Sequence, residues 1–296
     1  MCETRGRAAI TLLIGKGDAT LGFRSLIVAP VTARRVRRSC AVLVAALLAA
    51  GCSSAEPDRE SGQMTVTYQD ATTPAAIQGR TLMQDGRVLE DMAEYINGYL
   101  KLPYDIELVG AQCGDPNAFW SAADKRITMC YEFTDLFLTV FNTNPDEHVT
   151  DPAKAAINAT NATAYHELGH AVISIYDLPA TGRLEDAADQ LSAYMWLVPD
   201  EDIKNDAPEV VKDFAEMFKR YSANRRDLIN DDFAAEHSLD LTRMYNLACW
   251  VYGSNPAANA DIVAQVGLPQ SRVDRCQFEF DAIEKAWRKL LAPYVK

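Results

Sequence analysis

His166-Glu167-Leu168-Gly169-His170 is the stretch on which the reading of this chain turns. On a helix, histidines at i and i+4 leave the same face one turn apart, so their imidazole nitrogens can converge on one metal ion. Glu167 can then reach a water held by that metal. A zinc-bound water has its pKa lowered to roughly 7, and a neighbouring carboxylate can take its proton and pass it to a departing amine. The pattern points to peptide-bond hydrolysis. It also arises by accident, on the order of once in a hundred chains of this size, so the flanking residues must decide.

The flanks describe a helical hairpin. Asp151-Pro152 reads as an N-cap followed by proline at the first helical position, and Ala-rich sequence runs through Ala164 into the motif, giving a helix over about 153–176. Leu168, Ala171, Val172 and Ile175 supply an apolar side, and Gly169 removes a side chain where another element approaches. Asp177, Pro179 and Gly182 then turn the chain.

A catalytic zinc takes three protein ligands and keeps one position open. The third is sought in Glu185-Asp186-Ala187-Ala188-Asp189, at the start of a second helix running to about Leu197. Glu185 and Asp189 share a helical face. The preferred assignment makes Glu185 the ligand, with Asp189 behind it accepting the free ring N–H of His166 and fixing its tautomer. The competing register puts Asp186 or Asp189 on the metal. Acidic residues also suit any helix N-terminus, which accounts for one of these acids but not for a shared face.

His166-Glu-Leu-Gly-His170 followed by Glu185-x-x-x-Asp189 resembles the gluzincin arrangement of thermolysin-like zinc peptidases. It is unlike the metzincin pattern, which wants Gly and His where Ile173 and Tyr176 stand. More closely, Cys113-Gly114, Asn117 to Trp120, Ile127 to Glu132, the histidine motif, Gly182-Arg183, Glu185 to Gln190 and Cys249 to Gly253 resemble a bacterial metallopeptidase family catalogued as a domain of unknown function. The likeness covers most of residues 80–292. It implies a zinc peptidase fold acting on peptide or protein, without naming the substrate. The spacing from His170 to Glu185 is shorter than in thermolysin and demands a tight turn. By analogy with gluzincins, which set a His or Tyr over the developing oxyanion, His237 is the first candidate for that role and Tyr245 the second. An ordinary surface or core histidine is the alternative. His148, in an acidic loop, and the sequons at Asn158 and Asn161 are read as chemically silent.

The N-terminal region has the marks of export. Arg34, Arg35, Arg37 and Arg38 precede an apolar run from Cys40 to Ala50, and then comes Gly51-Cys52-Ser53-Ser54. Leu48-Ala49-Ala50-Gly51-Cys52 resembles a bacterial lipobox, which would lipidate Cys52 and anchor the protein to the outside of the cell membrane. The run is shorter than the roughly 20 residues a spanning helix needs. Residues 1–51 are therefore assigned as leader and signal peptide, with translation expected to begin near Val31, residues 52–63 as a flexible tether, and residues 64–296 as the peptidase domain. The leader holds eight of the 29 Lys and Arg and two of the 41 Asp and Glu, leaving 21 against 39, a net charge of −18. Such acidity opposes binding to nucleic acid, and no basic stripe offsets it.

An exported chain with Cys113, Cys130, Cys249 and Cys276 besides Cys52 is expected to form two disulfides. Cys113 with Cys130 and Cys249 with Cys276 is the favoured pairing, because each pair is close in sequence and brackets one element. The fold expected is α+β, mainly helical and zincin-like, with a small antiparallel sheet beside the active-site helix. Strands are placed at 64–68, 106–109 and 126–131. Helices are placed at 81–100, 132–142, 153–176, 184–197, 207–222, 236–252 and 271–291. The strand 126–131 is the candidate edge for pairing with extended substrate, ordinary sheet core being the other reading. Two functions compete: a membrane-tethered zinc peptidase, and a non-catalytic surface lipoprotein whose metal site supports partner binding.

Overall fold

The computed structural model describes residues 62–143, 149–198, 207–223 and 227–296. The leader, Cys52, most of the tether and His148 lie outside the described residues. The chain opens with strand β1 (Met64–Tyr68), helices α1 (Pro74–Asp85) and α2 (Val88–Tyr99), strands β2 (Ile106–Ala111), β3 (Ala118–Ser121) and β4 (Arg126–Cys130), and helix α3 (Tyr131–Thr143). The long helix α4 (Pro152–Ile175) and its partner α5 (Leu184–Leu197) follow. After them come α6 (Ala207–Ala223), the short α7 (Asn230–Ala234), α8 (Asp240–Ser254), the short α9 (Asp261–Gln265) and α10 (Gln270–Leu291). Among the described residues no helix is long and apolar enough to cross a membrane.

The fold class is α+β, mostly helical, but the sheet is mixed rather than antiparallel. Its order is β1-β2-β4-β3, with β1 parallel to β2, β2 parallel to β4, and only β3 and β4 antiparallel. Parallel neighbours need a crossover between them, and α1 with α2 supplies it from β1 to β2. β3 had no place in the strand assignment, and its pairing with β4 moves β4 from the sheet edge to the interior. The substrate-edge role proposed for 126–131 is thereby excluded; β3 is the edge on that side. The single helix expected over 81–100 is two, because Gly86 closes α1 and Arg87 takes a left-handed φ of 50°. A disulfide ties Cys113 to Cys130, and a second ties α8 to α10 through Cys249 and Cys276.

α4 is the spine on which the helical layer is built. Asp151 caps it, its carboxylate accepting from the amides of Ala153 and Lys154 at 3.1 Å each, and Pro152 takes the first helical position. Helices α3, α5 and α6 and strands β3 and β4 all pack on it. A helix covered on nearly every side must keep its side chains small to let neighbours close in, which is why Ala155, Ala156, Ala159, Ala162, Ala164 and Ala171 are buried along it. Its buried hydroxyls are satisfied within the helix: Thr160 donates to Ala156 O and Thr163 to Ala159 O. Asn158 of the first sequon is buried and donates to Asp213 at 2.7 Å.

Candidate metal centre

The site is set by how closely α5 can approach α4. A Cβ on Gly169 would stand 2.7 Å from the Ala188 Cα, so only glycine allows the two backbones this contact. Further along the pair, Ser192 Oγ donates to Ala162 O at 2.8 Å. The first turn of α5 then faces the histidines.

Three donor atoms converge there. His166 Nε2 lies 3.2 Å from His170 Nε2 and 3.2 Å from Glu185 Oε2, and His170 Nε2 lies 3.4 Å from the same oxygen. Zinc bonds nitrogen and oxygen at about 2.0–2.2 Å, so tetrahedral ligands stand about 3.3–3.5 Å apart. The spacing matches. Two imidazoles and a carboxylate are also a donor set that suits zinc, and the residues present therefore fit a metal ion. His237 Nε2 sits 2.7 Å from Glu185 Oε2, and the donors of His166, Glu185 and His237 all lie within 4.8 Å of one another. That 2.7 Å contact is shorter than a tetrahedral edge and is a hydrogen-bond distance, which sets His237 beside the carboxylate rather than among equivalent ligands.

Behind this group runs a buried polar chain. His166 Nδ1 is 2.8 Å from Asp189 Oδ1. An ionised carboxylate only accepts, so Nδ1 carries a proton toward Asp189, and a ring that gives up its second proton turns the Nε2 lone pair toward the cluster. Arg243 donates to both Asp189 oxygens, at 2.8 Å from Nε and 2.7 Å from Nη2, and its guanidinium lies 4.0 Å from the centre of the Phe218 ring. Burial pushes the Asp189 carboxyl up, but Arg243 and His166 together hold it well below the carboxylate range.

Electrostatics differ across the cluster. Burial raises the Glu185 carboxyl, yet hydrogen bonds from His166, His170 and His237 outweigh it and keep the group ionised. Burial lowers His166, while Asp189 and Glu185 overcome this and lift it to about 9, so without a metal the imidazole holds a proton that a metal must displace. Glu167 is raised, first by burial and then by Glu185, against the pull of the histidines. Among the described residues no hydrogen-bond donor serves its carboxylate. Burial thus leaves Glu167 a carboxyl of raised pKa beside the donor cluster.

Of the residues singled out from sequence, the structure brings His166, Glu167, His170, Glu185, Asp189 and His237 to one place. Tyr245 lies half-buried on α8, packed against the apolar core. Asp186 turns away from the histidines and accepts from Ser238 Oγ at 2.7 Å, and Asp189 is taken up by His166 Nδ1 and Arg243, so Glu185 alone offers an oxygen between the two Nε2 atoms. Sequence reading gave no role to Arg243 or Arg183. Each meets its partner across more than 50 residues, a distance no local pattern records. Residues 236–239 were placed in a helix, but α8 begins at Asp240 and His237 rides on the loop before it.

A helix-borne pair of imidazoles and a carboxylate from the next helix, with Glu167 beside them, form a group of donors that could hold a metal ion. Over residues 68–291 the chain matches the family described as "Putative metallopeptidase", and it belongs to that family. No curated protein and no solved structure matches the chain.

Proposed function

We propose that this protein is a zinc-dependent metallopeptidase in which His166, His170 and Glu185 hold the metal and Glu167 is the general base. The observation that carries the reading is the 3.2–3.4 Å triangle of donor atoms beside a buried carboxylate without a hydrogen-bond donor. Zinc bound there would polarise the scissile carbonyl and acidify the attacking water. Glu167, raised by burial, takes the proton of that water and delivers it to the departing amine nitrogen. His237, half-exposed, donates from Nε2 to Glu185 in this structure; with that oxygen taken up by a metal, the same N–H would be left to meet the negative charge growing on the carbonyl oxygen. Asp189 and Arg243 hold the His166 ring so that Nε2 keeps its aim. Edge strand β3, which packs near α4, offers unpaired backbone groups to an extended peptide.

The setting we infer is extracytoplasmic, with the chain anchored to the bacterial cell membrane through lipidated Cys52. The lipobox-like sequence supports this, and so do two disulfides, which persist in oxidising compartments. A non-catalytic lipoprotein with a structural metal has no use for a buried, unpartnered Glu167. Metal analysis and peptide cleavage by residues 53–296, with Glu167→Gln as control, test the reading. The variant should retain zinc and lose hydrolysis; equal turnover by both proteins would remove the proposed mechanism.

A further inference from the structure

Arg183 at the N-cap of α5 and Glu185 and Asp186 of its first turn all serve one loop. Arg183 Nη1 donates to the carbonyl oxygens of Ala235, Glu236 and His237 at 3.1, 3.5 and 3.4 Å. Asp186 accepts from Ser238 Oγ at 2.7 Å, and Glu185 meets His237 Nε2 at 2.7 Å. The loop between α7 and α8 is thus fastened on both sides of His237. A histidine on an exposed loop would otherwise sample many positions, and a packing role would need none of these bonds.

We propose that Arg183 and the Asp186–Ser238 pair are positioning residues that fix the His237 imidazole over the open side of the metal centre. The inference rests on the peptidase reading and deepens it. α5 then has two duties at one turn: Glu185 faces the metal, while the residues flanking it carry the group that answers charge on the substrate. The two are locked in register, since any shift of the loop relative to Glu185 must break a bond to Arg183 or to Asp186. Misplacing a catalytic group by about 1 Å costs on the order of a hundredfold in rate.

The experiment compares Arg183→Met, Arg183→Lys, Ser238→Ala and His237→Ala, and each of the first three combined with His237→Ala, using a library of internally quenched peptides and zinc affinity by chelator competition. Arg183→Met should lower kcat by roughly tenfold to a hundredfold with KM and zinc affinity nearly unchanged, and Ser238→Ala by less. Arg183→Lys should recover part of the loss, since an ammonium still donates to carbonyls. Combined with His237→Ala, none should cost anything further. Hydrogen exchange of the amides at 235–239 should quicken in Arg183→Met and Ser238→Ala while those of α4 stay protected. Should Arg183→Met misfold, Ser238→Ala and Arg183→Lys carry the test alone. Wild-type turnover in the variants, or an equal loss with and without His237, overturns the inference and leaves the peptidase reading standing. A wild type that neither binds zinc nor cleaves any peptide of the library overturns that reading, and the inference with it.

Discussion

The two walls of the site are built on opposite principles. The inner wall, His166 with Asp189 and Arg243, is buried: the side chains of His166 and Asp189 are each 4% exposed, and Arg243 is 11% exposed over the Phe218 ring. Every charge there meets an opposite one at hydrogen-bond distance, as a low-dielectric setting demands. The outer wall, Glu185 with His237 and Arg183, lies open, His237 being 52% exposed and carried by a loop. A metal ligand needs an unvarying direction, which burial and paired charge provide; a group that must meet substrate has to stay accessible. In the proposed mechanism the buried wall fixes the direction of one ligand, His166, while the open wall joins a second ligand, Glu185, to the group that meets the substrate.

The largest effect should come from the residue between the walls. Glu167→Gln is nearly isosteric and removes the base while leaving both walls intact. Hydrolysis of quenched peptides should fall by about 10² to 10⁴, with zinc stoichiometry by metal analysis unchanged. Loss of zinc in this variant would mean that Glu167 belongs to the holding wall after all.

Next in size is the inner wall itself. Asp189→Ala strands the Arg243 guanidinium in the interior without its acceptor, and breaking a buried pair in this way costs about 3–5 kcal/mol. It also frees the His166 ring, which should weaken zinc binding by about tenfold to a hundredfold. Thermal melting with chelator present isolates the first effect, and chelator competition measures the second. A variant that melts like the wild type and binds zinc as tightly would end the distinction drawn between the walls.

The outer wall should respond in kind and not in stability. His237→Ala removes a donor from an exposed loop, so melting should hardly change, while kcat falls by about 10² to 10³ and zinc affinity holds. A drop in zinc affinity as large as that of Asp189→Ala would make His237 a ligand, not a partner of the substrate.

The same contrast explains what the sequence could disclose. The α4–α5 hairpin was legible because its signals are local: a cap at Asp151-Pro152, paired histidines at helical spacing, acids sharing a face, and a glycine where helices touch. The favoured cysteine pairing was legible because each bond closes a short stretch of chain. Arg243 and Arg183 were not, since their partners lie over 50 residues away. The sheet went wrong for a related reason. Strand direction is set by a crossover through α1 and α2, and a four-residue strand such as β3 leaves almost no periodicity to read. His237 was mis-set in a helix because residues 236–239 contain no proline or glycine, and contacts with Arg183, Glu185 and Asp186, distant in sequence, tie them into a loop.

The smallest effect concerns a second acid on the buried side of α4, where an amide takes the place of a guanidinium. Asp213 of α6 accepts from Asn158 at 2.7 Å, but burial pushes its carboxyl up from 3.8 to about 6, Asn158 and the Lys154 charge lowering it too little and Glu209 adding to the rise. A carboxyl raised on folding binds its proton more tightly in the native state, so its contribution to stability is fully present below about pH 4 and is lost as pH climbs through about 6. Asp213→Asn keeps an oxygen for the Asn158 amide and abolishes the charge. At pH 7 it should stabilise the fold by about 2 kcal/mol, allowing for partial exposure of the site, and near pH 4 the gain should vanish. Denaturant melts at the two pH values measure it. If Asp213→Asn instead destabilised the protein at pH 7, the ionised carboxylate would have a compensating cation as Asp189 does, and paired charge would extend along the whole buried face of α4 rather than mark the place where the metal is held.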